Sequence, residues 1–399
     1  MDNIEITLDN NQPKLGYYVV GNNKHFSKTY ALMEATRTNQ FPEWHFNRDV
    51  FNNIDWTIEP QTDLRTLYRI RAQQLRDKYD YLRLEFSGGS DSVTVAYTFL
   101  LNNIHLDEIV FRYPKSGDKN FSNNPFDTRS ENSLSEWEFA AKPILQWISD
   151  NYPHVKITMH DYAQDMLTNK YDESQFLTTR EYIQPQHSFK HNQLATLDQK
   201  LLADKDKSIC VIYGVDKPKL CIKDRKWYAY FMDLNANHGN PIQSEYNNIT
   251  TEYFFWQPDL PELVVKQAHI IRNWFMLPQN QFLQHLVRWP NHMSQQRTAY
   301  ENIIKPLIYE DYDHTTFQCA KPTNNFYSEM DYWFFENFRD TRAYDIWNSA
   351  LKQIISQIDE KYFNIASNKK VGFVGFLSPF YYLGESTYWD SGKNAWSKF

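Results

Sequence analysis

Glycine is scarce in this chain, 11 residues in 399, against an ordinary share of about 7%. Cysteine is scarcer still. Cys210, Cys221 and Cys319 lie far apart with no C-x-x-C pair, which excludes a disulfide framework, a zinc knuckle and a thiolate-bound iron–sulfur centre. They read as buried, reduced thiols. No apolar run reaches the roughly 18 residues needed to span a bilayer, and Met1-Asp2-Asn3-Ile4-Glu5 lacks the basic and apolar regions of a signal peptide. A cytoplasmic protein without membrane contact is expected. An excess of basic residues is also missing, since 42 Lys and Arg face 49 Asp and Glu for a net charge of −7. That balance counts against broad nucleic-acid binding, although a local basic groove fits under an acidic total.

What is present is a globular composition, 41% hydrophobic and 23% charged, with aromatics raised to 17%. The abundance of Asn, Lys, Ile, Tyr and Phe is the signature of an AT-rich genome. The length suits two domains, or one with a large appendage. Helical spacing over 61–78 places Leu64, Leu67, Tyr68, Leu75 and Tyr79 on one stripe. Residues 81–86 then alternate, with Leu82, Leu84 and Phe86 opposite Arg83 and Glu85, as a strand does. A helix over 93–104, a strand over 108–113, a helix over 134–150, a strand over 155–160, a helix over 186–202 and a strand over 208–213 follow.

This alternation predicts an α/β fold, a parallel sheet with helices on both faces, whose ligand edge lies beyond the carboxyl ends of the strands. The loops at 87–92, 112–118, 160–165 and 214–219 all leave from that edge. Residues 1–60 read as a small N-terminal subdomain and 61–225 as the α/β domain. Residues 226–399 read as a mostly helical, aromatic-rich cap or substrate region, with a helix over 261–275 and a helix pair over 341–364.

Gly88-Gly89 is the one Gly-Gly pair in the chain, and it falls between a strand and a helix. Two glycines there open backbone conformations closed to other residues and let the main chain approach an oxyanion. Ser87, Ser90 and Ser92 add hydroxyl groups, and the following helix offers free N–H groups and a positive dipole end. Ser87-Gly-Gly-Ser-Asp-Ser92 after a strand resembles the PP-loop of the N-type ATP pyrophosphatases. That superfamily includes asparagine, β-lactam, GMP and NAD synthetases and tRNA lysidine synthetases. The motif is not a Walker A loop, which needs G-x-x-x-x-G-K-[ST].

The resemblance covers residues 61–220 and implies cleavage of ATP to AMP and pyrophosphate. It implies that Ser87, Gly88, Gly89, Ser90 and Ser92 cradle pyrophosphate, that Asp91 holds Mg²⁺, and that Arg112 and Tyr113 contact adenine. Arg83 and Glu85 depart from the family's apolar first strand, so one face of that strand is expected to be incompletely buried. Tyr213-Gly-Val-Asp-Lys-Pro-Lys219 follows the fourth strand, beside the first in the family's usual order. By that resemblance Gly214 is expected to complete the ATP site, Asp216 is the candidate second metal ligand, and Lys217 and Lys219 are the candidates to neutralise phosphate charge.

Weaker signals are His187 and His191, four apart on a helix; the polar stretch 115–133 as a lid; and Lys369-Lys370 as phosphate contacts. Tyr253-Phe-Phe-Trp256 reads as core rather than as a stacking platform. The activity implied is that of an AMP-forming ligase, nearest to the synthetase domain of asparagine synthetase. It activates a carboxylate or carbonyl oxygen of a small-molecule or nucleotide acceptor for attack by an amine or ammonia. Residue 2 is Asp rather than the cysteine of an N-terminal glutaminase, so ammonia comes from solution or from a separate source. Two alternatives stand beside it: an enzyme modifying a nucleobase, a free nucleotide or phage DNA, similar to tRNA lysidine synthetase, and a nucleotide-binding protein without turnover.

Overall fold

The computed structural model describes residues 13–113, 115–116, 136–168, 196–198, 200–201, 204, 206–233, 248–290, 294–309, 339–366 and 369–387. Near its start, β1 (Tyr17–Val20) pairs antiparallel with β2 (Asn23–His25) and with β3 (Glu43–His45). Helix α1 (Lys28–Thr38) is closed by the Ser27 hydroxyl at its start and by left-handed Asn39 at its end. Its Lys28 is fully buried but sits 2.8 Å from the Asp233 carboxylate, which also accepts the Tyr18 hydroxyl at 2.7 Å. That buried pair joins the small sheet to a segment two hundred residues on. A short helix, α2 (Arg48–Phe51), adds Phe51 to an aromatic core in which Phe231 lies 4.7 Å from Phe51 and 5.0 Å from Trp256.

Helix α3 (Leu64–Lys78) begins where the Asp63 carboxylate accepts the Thr66 N–H, and it buries Leu64, Leu67, Tyr68, Ala72 and Leu75, the stripe visible in the sequence. The chain then lays down β4 (Tyr81–Phe86), α4 (Ser90–Leu101), β5 (Glu108–Arg112), α5 (Lys142–Asn151), β6 (Lys156–His160), α6 (Tyr162–Leu167) and β7 (Ile209–Tyr213). A hairpin of β8 (Lys219–Lys223) and β9 (Lys226–Tyr230) intervenes before β10 (Ile249–Tyr253). Five of these strands form one sheet in the order β10-β7-β4-β5-β6, and every neighbouring pair is parallel. Helices flank it, and Tyr97 of α4 meets Trp147 of α5 edge-on at 5.3 Å. The protein is therefore α/β, as the alternation predicts.

Three particulars differ from the sequence expectation. Arg83 and Glu85 do not mark a solvent-facing side of β4, for their relative exposures are 0% and 9%. The Glu85 carboxylate pairs with Arg83 at 3.2 Å and with Arg112 of the neighbouring strand at 2.6 Å; a buried charge is tolerated when it is paired and hydrogen-bonded. The sheet also takes its fifth strand, β10, from beyond residue 225. Its polar Thr250, Thr251 and Glu252 disguise a buried edge strand, since Glu252 is packed against Arg71 at 3.0 Å and accepts from Lys78 and Tyr79. Finally, 341–364 holds one α-helix, Arg342–Gln357, followed by a short 3-10 turn and the start of a strand rather than a second helix.

The later chain carries α7 (Glu262–Met276), α8 (Ser294–Ile308) and α9 (Arg342–Gln357), then β11 (Phe363–Ala366), β12 (Lys369–Phe373) and β13 (Tyr381–Glu385). β11 pairs with β12, and β13 joins the hairpin as β13-β9-β8. Tyr253, Phe254, Phe255 and Trp256 are all core. No helix among the described residues is long and apolar enough to cross a membrane.

Candidate functional site

From β4 the chain proceeds to β5 and β6 on one side, while β7 and β10 lie on the other. The strand order thus reverses between β4 and β7, and in open parallel sheets the crevice beyond the carboxyl ends at such a point receives ligands. Two loops meet there, one leaving β4 for α4 and one leaving β7 for β8.

In the first loop Gly88 adopts φ +70°, a region that strains any L side chain. A Cβ at Gly88 would also lie 2.8 Å from Ala141 N and 2.9 Å from Ala140 C, backbone atoms of the π-helical turn Glu136–Ala141 that precedes α5. Gly89 is the N-cap of α4, its carbonyl accepting the Val93 N–H at 3.0 Å. The Ser92 hydroxyl turns back into the loop, donating to Gly89 O at 3.1 Å and accepting the Ser87 N–H at 3.2 Å. It ties the two ends of the loop together. The first-turn N–H groups of Ser90, Asp91 and Ser92 stand at the open, electropositive end of the helix.

The second loop is pressed onto that helix end. A Cβ on Gly214 would lie 3.0 Å from Asp91 C and 3.1 Å from Ser92 N, so any larger residue would push the loop off the helix end by a few tenths of an ångström. The approach sets Asp216 and Lys217 beside Asp91. Lys217 Nζ is 2.8 and 2.9 Å from the two Asp91 oxygens and 3.1 Å from Asp216 Oδ1. Lys219 Nζ is 3.0 Å from Asp216 Oδ2. Side-chain exposure falls from 26% at Asp91 to 12% at Asp216 and 6% at Lys217. Burial opposes charge on Asp216, but Lys217 and then Lys219 hold its carboxyl well below the usual carboxylate range. Burial likewise opposes charge on Lys217, but Asp216 and then Asp91 raise it above the ordinary ammonium value. Asp216 and Lys217 therefore both remain ionised at neutral pH.

Helix α8, which carries no motif, supplies what the sequence reading missed. Just past its end Tyr309, 1% exposed, donates its hydroxyl to Asp91 Oδ1. Burial, with the Asp91 charge behind it, keeps that phenol protonated. Tyr300 donates to Pro218 O at 3.1 Å, and Glu301 lies 4.0 Å from Lys219. Both loops are thus braced by residues far along the chain.

Arg112 and Tyr113 do not join this cluster. Arg112 Nε and Nη2 donate to the two Glu85 oxygens at 2.6 and 2.8 Å, and Nη1 reaches His160 Nδ1 at 2.7 Å. With Nδ1 accepting, His160 Nε2–H donates to Asp165 Oδ2 at 2.6 Å. Burial, supported by Arg112 and resisted by Asp165, lowers the His160 pKa and leaves the ring neutral. Tyr113 stacks on Trp137 with centroids 6.1 Å apart.

Cys210 and Cys221 are buried and free; burial raises both thiols, Cys221 to about 12, which makes them unreactive. Lys369 and Lys370 begin β12. His187, His191 and Cys319 fall outside the described residues, as does the 115–133 stretch beyond residue 116. Among the described residues no group of three or more His, Cys, Asp and Glu side chains forms a metal cage. The geometry defines a class, an open parallel α/β protein with a glycine loop and a helix N-terminus at its switch point. The chain matches no protein-family model and no curated protein.

Proposed function

We propose that this chain is an ATP-binding enzyme of the PP-loop type, splitting ATP between the α- and β-phosphates and acting as an AMP-forming ligase. The observation that carries the reading is the meeting of the Gly88-Gly89 and Gly214–Lys219 loops at the switch point, where two carboxylates converge on one cation position. The α4 N-terminus and the loop N–H groups bind the leaving pyrophosphate. Lys217 and Lys219 neutralise its growing charge. Asp91 and Asp216 suit a hard cation, since the Lys217 ammonium already occupies a place that both reach. They would hold Mg²⁺ with phosphate oxygens and water completing the shell. Bound there, Mg²⁺ would draw charge from the departing phosphates. Tyr309 and Lys219 fix the two carboxylates from behind.

The acceptor oxygen attacks the α-phosphorus, and an amine or ammonia then displaces AMP. ATP labelled at the α-phosphate, offered with magnesium and a pool of candidate acceptors, should yield labelled AMP. Accumulation of labelled ADP would sink the proposal.

One feature favours a nucleobase-bearing acceptor over a simple carboxylate. On the outward face of the β13-β9-β8 sheet, Tyr382, Tyr228, Phe380, Tyr230 and Trp289 form a continuous row with centroids 5.0 to 5.9 Å apart. Lys223 and Lys226 stand 5.6 Å from Phe380 and 5.7 Å from Tyr382. Aromatic faces with interleaved cations bind unpaired bases. Reversing both lysines to Glu should abolish retention of a single-stranded oligonucleotide at low salt; unchanged retention would remove this support.

A further inference from the structure

We propose that Lys217 is a built-in substitute for the metal ion: its ammonium fills the cation position between Asp91 and Asp216 in the nucleotide-free protein and moves to the phosphates when nucleotide brings the metal in. This rests on the ATP reading above and adds an order of events to it.

The steric argument is direct. Three carboxylate oxygens surround Lys217 Nζ at 2.8, 2.9 and 3.1 Å. Magnesium binds its oxygens at about 2.1 Å, so it cannot bridge the same two carboxylates while the ammonium stays between them. The electrostatic argument explains why something must stay. Without Lys217, Asp91 and Asp216 would face each other in a poorly solvated crevice with one lysine, Lys219, on the far oxygen of Asp216. Like charges so placed repel strongly.

The surroundings also allow the exchange. Tyr309 holds Asp91 and Lys219 holds Asp216, so both carboxylates keep their places when the ammonium departs. Pro218 restricts the backbone of Lys217, which confines the movement to its four-carbon side chain. The charge then redistributes sensibly. Asp91, Asp216 and Glu301 against Lys217 and Lys219 leave one negative charge without ligand; a divalent ion on the aspartates frees Lys217 for the phosphates that arrive with it.

Metal and phosphate must therefore bind with positive coupling, each tightening the other by the same factor. Mn²⁺ serves as the probe, with the free ion counted by electron paramagnetic resonance and the Mn²⁺–pyrophosphate complex that forms without protein subtracted. The wild-type protein should bind Mn²⁺ weakly alone and about tenfold or more tightly once pyrophosphate is added. Lys217→Met, similar in shape but uncharged, should bind Mn²⁺ at least as tightly without pyrophosphate as the wild type does with it. Wild-type affinity that ignores pyrophosphate would overturn the proposal, as would a folded Lys217→Met no tighter than wild type. If Lys217→Met fails to fold, the wild-type comparison decides alone. Calorimetry with a non-cleavable ATP analogue separates the two ideas. Failure of the analogue to bind removes the ATP reading, whereas the Mn²⁺ affinity of Lys217→Met still reports whether the lysine blocks a metal position.

Discussion

Replacing Gly88 with alanine tests whether the glycine loop is shaped by its own backbone and by its neighbour. The residue sits at φ +70°, where a non-glycine residue costs about 1–2 kcal/mol. The new Cβ would meet Ala141 N at 2.8 Å and Ala140 C and Ala141 Cα at 2.9 Å. All three belong to the backbone entering α5, so no flexible side chain can swing aside. Overpacking of this kind adds about 1–3 kcal/mol, for a total of roughly 2–5 kcal/mol. At about 2–4 °C per kcal/mol for a unit of this size, the thermal midpoint should drop by roughly 4–20 °C. Gly89→Ala is the internal control. Gly89 has φ −81° and serves as N-cap, so alanine there should cost only about 1 kcal/mol. Urea titrations of both variants, followed by far-UV circular dichroism, give the comparison. If Gly88→Ala loses no more than Gly89→Ala, the loop does not rest on Ala140 and Ala141 and the argument fails.

Other expected outcomes are equally definite. Asp91→Asn should fold normally but lower the rate of pyrophosphate release by about 10²-fold or more; near-normal release would dismiss Asp91 as a ligand. Arg112→Ala strands Glu85 inside the sheet and should cost about 3–5 kcal/mol in a urea titration while leaving the affinity for an ATP analogue unchanged. A selective loss of that affinity without destabilisation would return Arg112 to the adenine site. Glu252 is opposed by burial but held by Arg71 and its hydrogen bonds, and its pKa falls from an ordinary 4.5 to about 2. Its contribution, at most about 3 kcal/mol, is complete above pH 4.5 and disappears as pH falls toward 2. Glu252→Gln should accordingly be less stable than wild type above pH 4.5 and lose less further stability as pH falls toward 2. A variant whose stability declines between pH 4.5 and 2 as steeply as wild type would refute the assignment.

The sequence made the first four strands of the sheet readable because each carries an alternating or continuous apolar pattern between helical stretches. The Gly88-Gly89 loop stood out because glycine is so rare elsewhere. Gly214 lies against the first turn of α4, a contact that cannot be read without the strand order. Arg83 and Glu85 were misread because alternation of charge with apolar residues looks the same whether the charged side meets water or meets Arg112. β10 was missed for a related reason: Glu252 looks like surface until Arg71, from a helix 181 residues earlier, is placed on it. Tyr309 was out of reach altogether. Its contact with Asp91 spans 218 residues, and one tyrosine among 27 carries no local mark of that partnership.

The late arrival of β10 has a consequence for how the chain folds as it is made. Until Ile249–Tyr253 emerges, β7 is a terminal strand whose outer row of N–H and C=O groups has nothing to pair with, and its sequence is Ile-Cys-Val-Ile-Tyr. Short, uncharged stretches of this kind are ready templates for pairing with other chains. Arg71 of α3 would meanwhile wait without the Glu252 carboxylate that balances it. A nascent chain halted just after β9, or a proteolytic fragment ending there, should therefore be sticky and dependent on chaperones, although it contains both loops of the candidate site.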